Sequence, residues 1–133
     1  MEKVRVVFDT NIWISAFLFG GKPKRVIDLA LDKGQIFCSI YILEEMRVVL
    51  KEDFNLPQAK IEELTEAILD IADIVRLTGD FKDFTADPKD NPIIETAIVA
   101  KANYLVTGDK HILSLRQFGK IQLITISQFL KKL

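Results

Sequence analysis

Residues 4–21 read VRVVFDTNIWISAFLFGG, and the order of their parts decides the fold. Val4 to Phe8 is a short apolar, largely β-branched run, the pattern of a strand covered on both faces. Asp9-Thr10-Asn11 favours a turn and a helix cap, Ile12 to Phe19 reads as a helix, and Gly20-Gly21 breaks it. Strand, cap, helix and breaker in that order form the opening half of a βαβ unit.

The rest of the chain repeats the theme. Pro23 opens a second helix, with Val26, Ile27, Ala30 and Leu31 on one face and Gly34 just past its end. Gln35 to Cys38 is a second strand, and Ser39 caps the helix that runs through YILEEMRVVL. Pro57 begins another helix, with Ile61, Leu64, Ile68 and Leu69 at helical spacing, before a third strand at Ile74 to Leu77. The Asp-rich segment TGDFKDFTADPKDN is loop-like and long enough to suggest a functional role. Asn91 is expected to cap a helix that starts at Pro92, because proline pushes its predecessor out of the helical region. Tyr104 to Thr107 and Ile121 to Ile126 are the fourth and fifth strands, and Ser127 is expected to cap the last helix. Alternating strands and helices imply right-handed parallel crossovers. The expected fold is a single α/β domain over residues 1–133, a three-layer α/β/α sandwich around a mostly parallel, roughly five-stranded sheet.

Composition narrows the chemistry. A chain of 133 residues with 49% hydrophobic and 28% charged residues is a globular protein, not a disordered one. The N-terminus lacks the pattern of a signal peptide, and no apolar run approaches the roughly 20 residues needed to span a bilayer, so a cytoplasmic protein is expected. Cys38 has no disulfide partner and sits in an apolar run, as a core thiol does. With one histidine in the chain, a zinc site built on His and Cys is effectively excluded, and any metal is held by oxygen. The formal net charge of −1 argues at first against a nucleic-acid partner. Committing four carboxylates to cations reverses the balance of the remaining side chains, and bound ions add positive charge of their own.

The acids fall where chemistry is expected. Ligands of open α/β sheets bind outside the carboxyl ends of the strands, and Asp9 and Asp109 lie at two such ends. One acid there is more often a helix cap, whereas two shift the balance. On the helix after the second strand, Leu43, Met46, Val49 and Leu50 with Ile42 form an apolar stripe. Glu44 points roughly 160° from its centre and Glu45 about 100°, so Glu45 lies on the flank that can reach the sheet edge. Asp87 and Asp90 both have ordinary readings, a turn initiator and a partner for a helix dipole, and spacing alone does not choose between them. Three or four carboxylates around one pocket raise each other's pKa, and hard divalent cations such as Mg²⁺ or Mn²⁺ relieve the conflict. Two such ions roughly 4 Å apart can activate water and stabilise the leaving oxygen of a phosphodiester.

Four segments, VVFDTNIWISA, SIYILEEMRVVL, DPKDNPIIETAIVAKANYLVTGD and IQLITISQFL, resemble the PIN domain family in the family's order. The likeness is greatest to its bacterial and archaeal, VapC-like branch, classed with the toxins of toxin–antitoxin pairs. The resemblance implies an acid quartet of Asp9, Glu45, Asp90 and Asp109 that is both catalytic and metal-binding. It thereby selects Asp90 over Asp87, with Asp87 lying further out, and it implies polar support from Asn11 and Thr107. It also implies single-strand-selective endoribonuclease activity with one or two Mg²⁺ or Mn²⁺ ions, homodimers, and an antitoxin partner for toxin members.

Other residues have plainer readings. Trp13 and the phenylalanines of IWISAFLF read as core or dimer-interface anchors, and Phe81 and Phe84 as loop residues covering the core rather than stacking on bases. His111 follows the proposed site without a catalytic assignment. Lys22, Lys24, Arg25, Lys89, Lys110 and Arg116 could each meet phosphate, but an ordinary solvated surface is the better account of each. Two other enzyme classes fit poorly. A phospho-receiver wants its acceptor Asp after the third strand, where Thr78-Gly79 stands; a dehalogenase-like phosphatase wants a second Asp at position 11, where Asn11 stands. A non-catalytic RNA- or protein-binding scaffold is the alternative reading of the same fold.

Overall fold

The structure is a computed structural model that describes residues 3–79 and 87–133. Five strands, β1 (Val4–Phe8), β2 (Gly34–Ser39), β3 (Ala72–Val75), β4 (Tyr104–Val106) and β6 (Ile121–Ile124), run parallel, and a two-residue strand β5 (Gln117–Phe118) pairs antiparallel with β6. The sheet order is β3-β2-β1-β4-β6-β5. Among the described residues seven helices surround it: α1 (Thr10–Phe19), α2 (Gly21–Lys33), α3 (Ile40–Glu52), α4 (Gln58–Ile71), α5 (Asn91–Val99), α6 (Lys110–Leu113) and α7 (Ile126–Lys132). The α/β sandwich expected from the sequence is therefore present, with six strands instead of five. The extra strand is too short to carry a periodic signal; it exists because Gly119, at φ 59°, folds the chain back onto β6.

β1 lies at the centre, and Val6, Val7 and Phe8 are fully buried because both neighbours and both covering layers exclude water. Trp13, one turn into α1, is also fully buried, with its ring edge-to-face on Phe8 at 5.6 Å and stacked on Phe17 at 6.2 Å. It is a core anchor, whereas Phe19 at the end of α1 is exposed. The switch from α1 to α2 occurs at Gly20, whose φ of 68° few side-chain-bearing residues adopt. Gly34 is required for a different reason: a Cβ there would stand 2.5 Å from the Val4 carbonyl oxygen, because β2 starts hard against β1.

Several boundaries depart from expectation, among them the start of α2 at Gly21 instead of Pro23 and the end of β6 at Ile124, since Ile126 already belongs to α7. β3 begins at Ala72, two residues early, since Ile36 pairs with Ala72 in the parallel register with β2. The last helix is capped by Thr125 in place of Ser127, through a capping box with Gln128. Asn91 is already helical, because one turn of 3-10 helix at Pro88–Asp90 precedes α5 and takes its cap from Asp87, whose carboxylate accepts from the Lys89 N–H at 3.0 Å. Phe81 and Phe84 lie outside the described residues. Among the described residues no helix is long and apolar enough to cross a membrane.

Candidate active site

Parallel pairing sets the first acid. The Asp9 backbone N–H donates to the Val106 carbonyl at 3.0 Å, which places the end of β1 beside the end of β4 and brings Thr107 next to Asp9. The Asp9 carboxylate is 8% exposed and fully engaged: one oxygen accepts from the Thr10 N–H at 2.6 Å, the other from the Thr107 hydroxyl at 2.7 Å. Thr107 in turn accepts from the Asp109 N–H at 3.0 Å, so one buried hydroxyl spans two of the acids. Asp109 caps α6, its Oδ1 accepting from the His111 and Ile112 N–H groups at 2.7 and 3.2 Å. That is the ordinary capping role of a strand-end Asp, here combined with a place in the acid cluster.

Glu45 joins from α3. Its Oε1 accepts from the hydroxyl of Thr10, the residue whose N–H also holds Asp9. Two threonines therefore link three of the acids: Thr10 joins the Asp9 and Glu45 carboxylates, and Thr107 joins the Asp9 carboxylate to the Asp109 backbone. The helical angle that separated Glu45 from Glu44 is reflected in burial: Glu45 is half-buried and Glu44 exposed.

Asp90 is the fourth. It is 7% exposed, at the junction of the 3-10 turn and α5, and its Oδ2 is buried without a hydrogen-bond partner. Burial first, then the charges of Asp109, Asp87 and Asp9, push its carboxyl up to about 6. Burial likewise raises Asp9, against the two hydrogen bonds that favour its ionised form and with Glu45 and Asp109 adding repulsion. The favourable charge acting on Asp90 is that of His111. The two acids of DPKD differ in environment: Asp90 is buried, whereas Asp87 accepts from the Lys89 N–H and adds its charge to those acting on Asp90.

Asn11 is exposed, and the hydroxyl contact beside Asp9 comes from Thr10. In the sequence Thr10 carries no separate signal, because a hydroxyl after a strand-end Asp looks like part of a cap. Tyr41 is likewise absent from the sequence-based candidates. It stands one turn before Glu45 on α3, its hydroxyl donates to the Lys89 carbonyl at 3.4 Å, and burial together with Glu45, Asp90, Asp87 and Asp9 raises its phenol. Its spacing of four from Glu45 was the available signal. A further buried acid, Glu95 of α5, receives the Thr78 hydroxyl at 2.9 Å.

This arrangement suits a hard divalent cation in donor type and in charge. The donors are all carboxylate oxygens, one of them is buried and unpartnered, and the acids repel one another across the sheet edge. Among the described residues no three acid, His or Cys side chains yet converge to chelating distance. The fit is thus one of composition and placement.

The profile of the PIN domain family matches residues 5–111, a span that contains all four acids. An uncharacterized protein of Methanocaldococcus jannaschii is 30% identical over 125 residues, which cover 89% of this chain and 79% of that protein. Among solved structures, the crystal structure of VapBC2 from Rickettsia felis bound to a DNA fragment from their promoter superposes with a TM-score of 0.69 at 17% identity, over 92% of this chain and 98% of the matched one. That likeness is one of fold. Since the family profile runs from β1 into α6 and the archaeal relative is matched over most of its length, the chain belongs to the PIN domain family.

Proposed function

We propose that the edge formed by Asp9, Glu45, Asp90 and Asp109 is the active site of a metal-dependent endoribonuclease that hydrolyses single-stranded RNA, of the kind that serves as the toxin of a toxin–antitoxin pair. The observation that carries this reading is the linked cluster: the Asp9 and Glu45 carboxylates and the Asp109 backbone tied by Thr10 and Thr107, with the unpartnered Asp90 oxygen beside them.

The chain's own part is positioning. The Thr10 N–H and the Thr107 hydroxyl hold the Asp9 carboxylate in one orientation, while the Thr10 hydroxyl engages Glu45 and the Thr107 hydroxyl also accepts from the Asp109 backbone. Asp90 keeps an oxygen free of protein donors, at the price of a carboxyl that resists ionisation. Asp9, Glu45, Asp90 and Asp109 would hold one or two Mg²⁺ or Mn²⁺ ions, which when bound supply the positive charge that stabilises a phosphodiester undergoing displacement by water. Hydrolysis breaks one P–O bond and leaves a phosphate monoester and a free hydroxyl. An antitoxin that covers this edge, a homodimer and a cytoplasmic location complete the proposed biology, in line with the family resemblance.

The test is cleavage of a defined single-stranded RNA, with single-stranded DNA of the same sequence as a second substrate. Mn²⁺ or Mg²⁺ should support RNA cleavage and EDTA should stop it. Asp9→Asn and Asp109→Asn should each reduce the rate by at least a hundredfold while retaining the wild-type circular dichroism spectrum. Undiminished cleavage by both variants would falsify the proposal.

A further inference from the structure

A concavity of the molecule lies away from the acids. It is a polar cleft of about 760 Å³ at the opposite edge of the sheet, where β1, β2 and β4 begin, lined by Lys3, Arg5, Gln35, Lys101, Asn103 and Tyr104. The five residues of β1 separate the two edges by about 17 Å. Among the described residues, Lys3, Arg5 and Lys101 make no ion pair, and Lys132 extends the positive field with its ammonium 6.0 Å from the Tyr104 ring centre.

The arginine is held in place. Its Nε donates to the Ala100 carbonyl at 2.8 Å and its guanidinium lies 4.2 Å over the Phe37 ring, which leaves the terminal nitrogens as oriented donors. Asn103 accepts the Arg5 N–H through Oδ1 at 2.7 Å, so its amide nitrogen remains to donate. Gln35 is bound to Asp73 at 2.5 Å, and that carboxylate marks one end of the positive surface. A fixed guanidinium, two exposed lysines and a neutral amide donor suit a phosphate chain, which is gripped by charge and hydrogen bonds without side-chain pockets. A peptide would look for apolar pockets, and among the described lining residues Val4 is the sole aliphatic one.

We infer that this cleft is a second phosphodiester-binding surface, which holds the RNA strand at a distance from the bond to be cut; the inference rests on the ribonuclease reading above. The acid edge repels phosphate until cations fill it, whereas the cleft attracts the strand without them. Binding before metal loading is the consequence.

The experiment is fluorescence anisotropy with a labelled single-stranded RNA of about 30 nucleotides, in EDTA so that no cleavage intervenes. The proteins are wild type, Lys3→Gln/Lys101→Gln, and Lys51→Gln/Lys60→Gln, which removes the same charge outside the cleft. Glutamine at 101 inherits the positive φ of 53° that Lys101 already tolerates. Loss of two phosphate contacts should weaken binding about tenfold near 0.1 M salt and reduce the salt slope by about 1.4, with the control variant close to wild type. Equal losses in both variants, no loss in either, or no binding by wild type would overturn the inference. A labelled polyglutamate peptide of the same length is the second probe. Cleft-dependent capture of that peptide with RNA binding unmoved would also overturn it, in favour of an acidic protein partner. The two readings separate cleanly, since cleft-dependent RNA binding without any cleavage would leave the cleft and sink the nuclease, and cleavage with unmoved affinity would do the reverse.

Discussion

Replacing Asp90 by Asn should make the metal-free protein more stable at pH 8 and leave it no more stable at pH 4. The wild-type carboxyl moves from an ordinary 3.8 to about 6 on folding. The folded state therefore binds more protons than the unfolded chain between those values, so wild-type stability falls as pH rises through the window and is flat above it. At about 1.4 kcal/mol per tenfold, the full shift corresponds to about 3 kcal/mol of destabilisation once Asp90 is ionised. An asparagine removes that charge but leaves an amide against the same partnerless wall, which costs about 1–2 kcal/mol. The net gain is about 1–2 kcal/mol at pH 8, or about 3–8 °C in Tm for a domain of this size. At pH 4 the folded carboxyl is already protonated, so most of the charge penalty is gone, and well below 3.8 only the amide penalty remains. Thermal and urea denaturation in EDTA across pH 4 to 8 would measure this. Excess Mn²⁺ should invert the ranking, adding about 2.7 kcal/mol to wild type at a hundred times its Kd and less to the variant. Equal effects of the substitution at pH 4 and pH 8, or destabilisation at both, would refute the claim that Asp90 is a strained acid held for a cation.

Other substitutions probe the framework. Thr107→Val keeps the shape but strips a donor from Asp9 and an acceptor from the Asp109 N–H, so chemical denaturation should show a loss of about 1–3 kcal/mol and cleavage should collapse. Thr10→Val should weaken Mn²⁺ binding measured by calorimetry, because Glu45 loses its tether, and Thr10→Ser should restore it; equal affinity in Val and Ser would remove Thr10 from the site. Gly34→Ala should destabilise by about 1–3 kcal/mol, since the new Cβ meets a backbone oxygen at 2.5 Å that no side-chain rotation can clear. A Tm unchanged within a degree would show that β1 and β2 separate freely.

Local pattern carried most of the architecture. An apolar run of four to six residues followed by a capped amphipathic segment is determined by neighbours in the chain, which is why VRVVF, QIFC and YLVT were legible as strands and the acids after the first and last of them as edge residues. The flank position of Glu45 follows from helix geometry alone. What periodicity misplaced was short or set by pairing: the two-residue β5, the early start of β3 dictated by its register with β2, and the choice of Thr125 over Ser127 as cap.

The cluster itself is a matter of distance in space. Thr107 meets Asp9 across 98 positions of sequence and Thr10 meets Glu45 across 35, contacts created by parallel pairing of β1 with β4 and by the docking of α3. Asp87 and Asp90 are equivalent as sequence, both beside a turn and a helix start. Beyond the family resemblance, it is the packed chain that gives them different surroundings, because a carboxylate that accepts from a nearby N–H caps the turn, and the one turned inward loses its water and gains the repulsion of its neighbours. Residue types and their order thus determined that this chain would be an α/β domain with acids at strand ends. Tertiary packing decided which acids share a field, since burial and charge repulsion act through space and leave no trace in spacing along the chain.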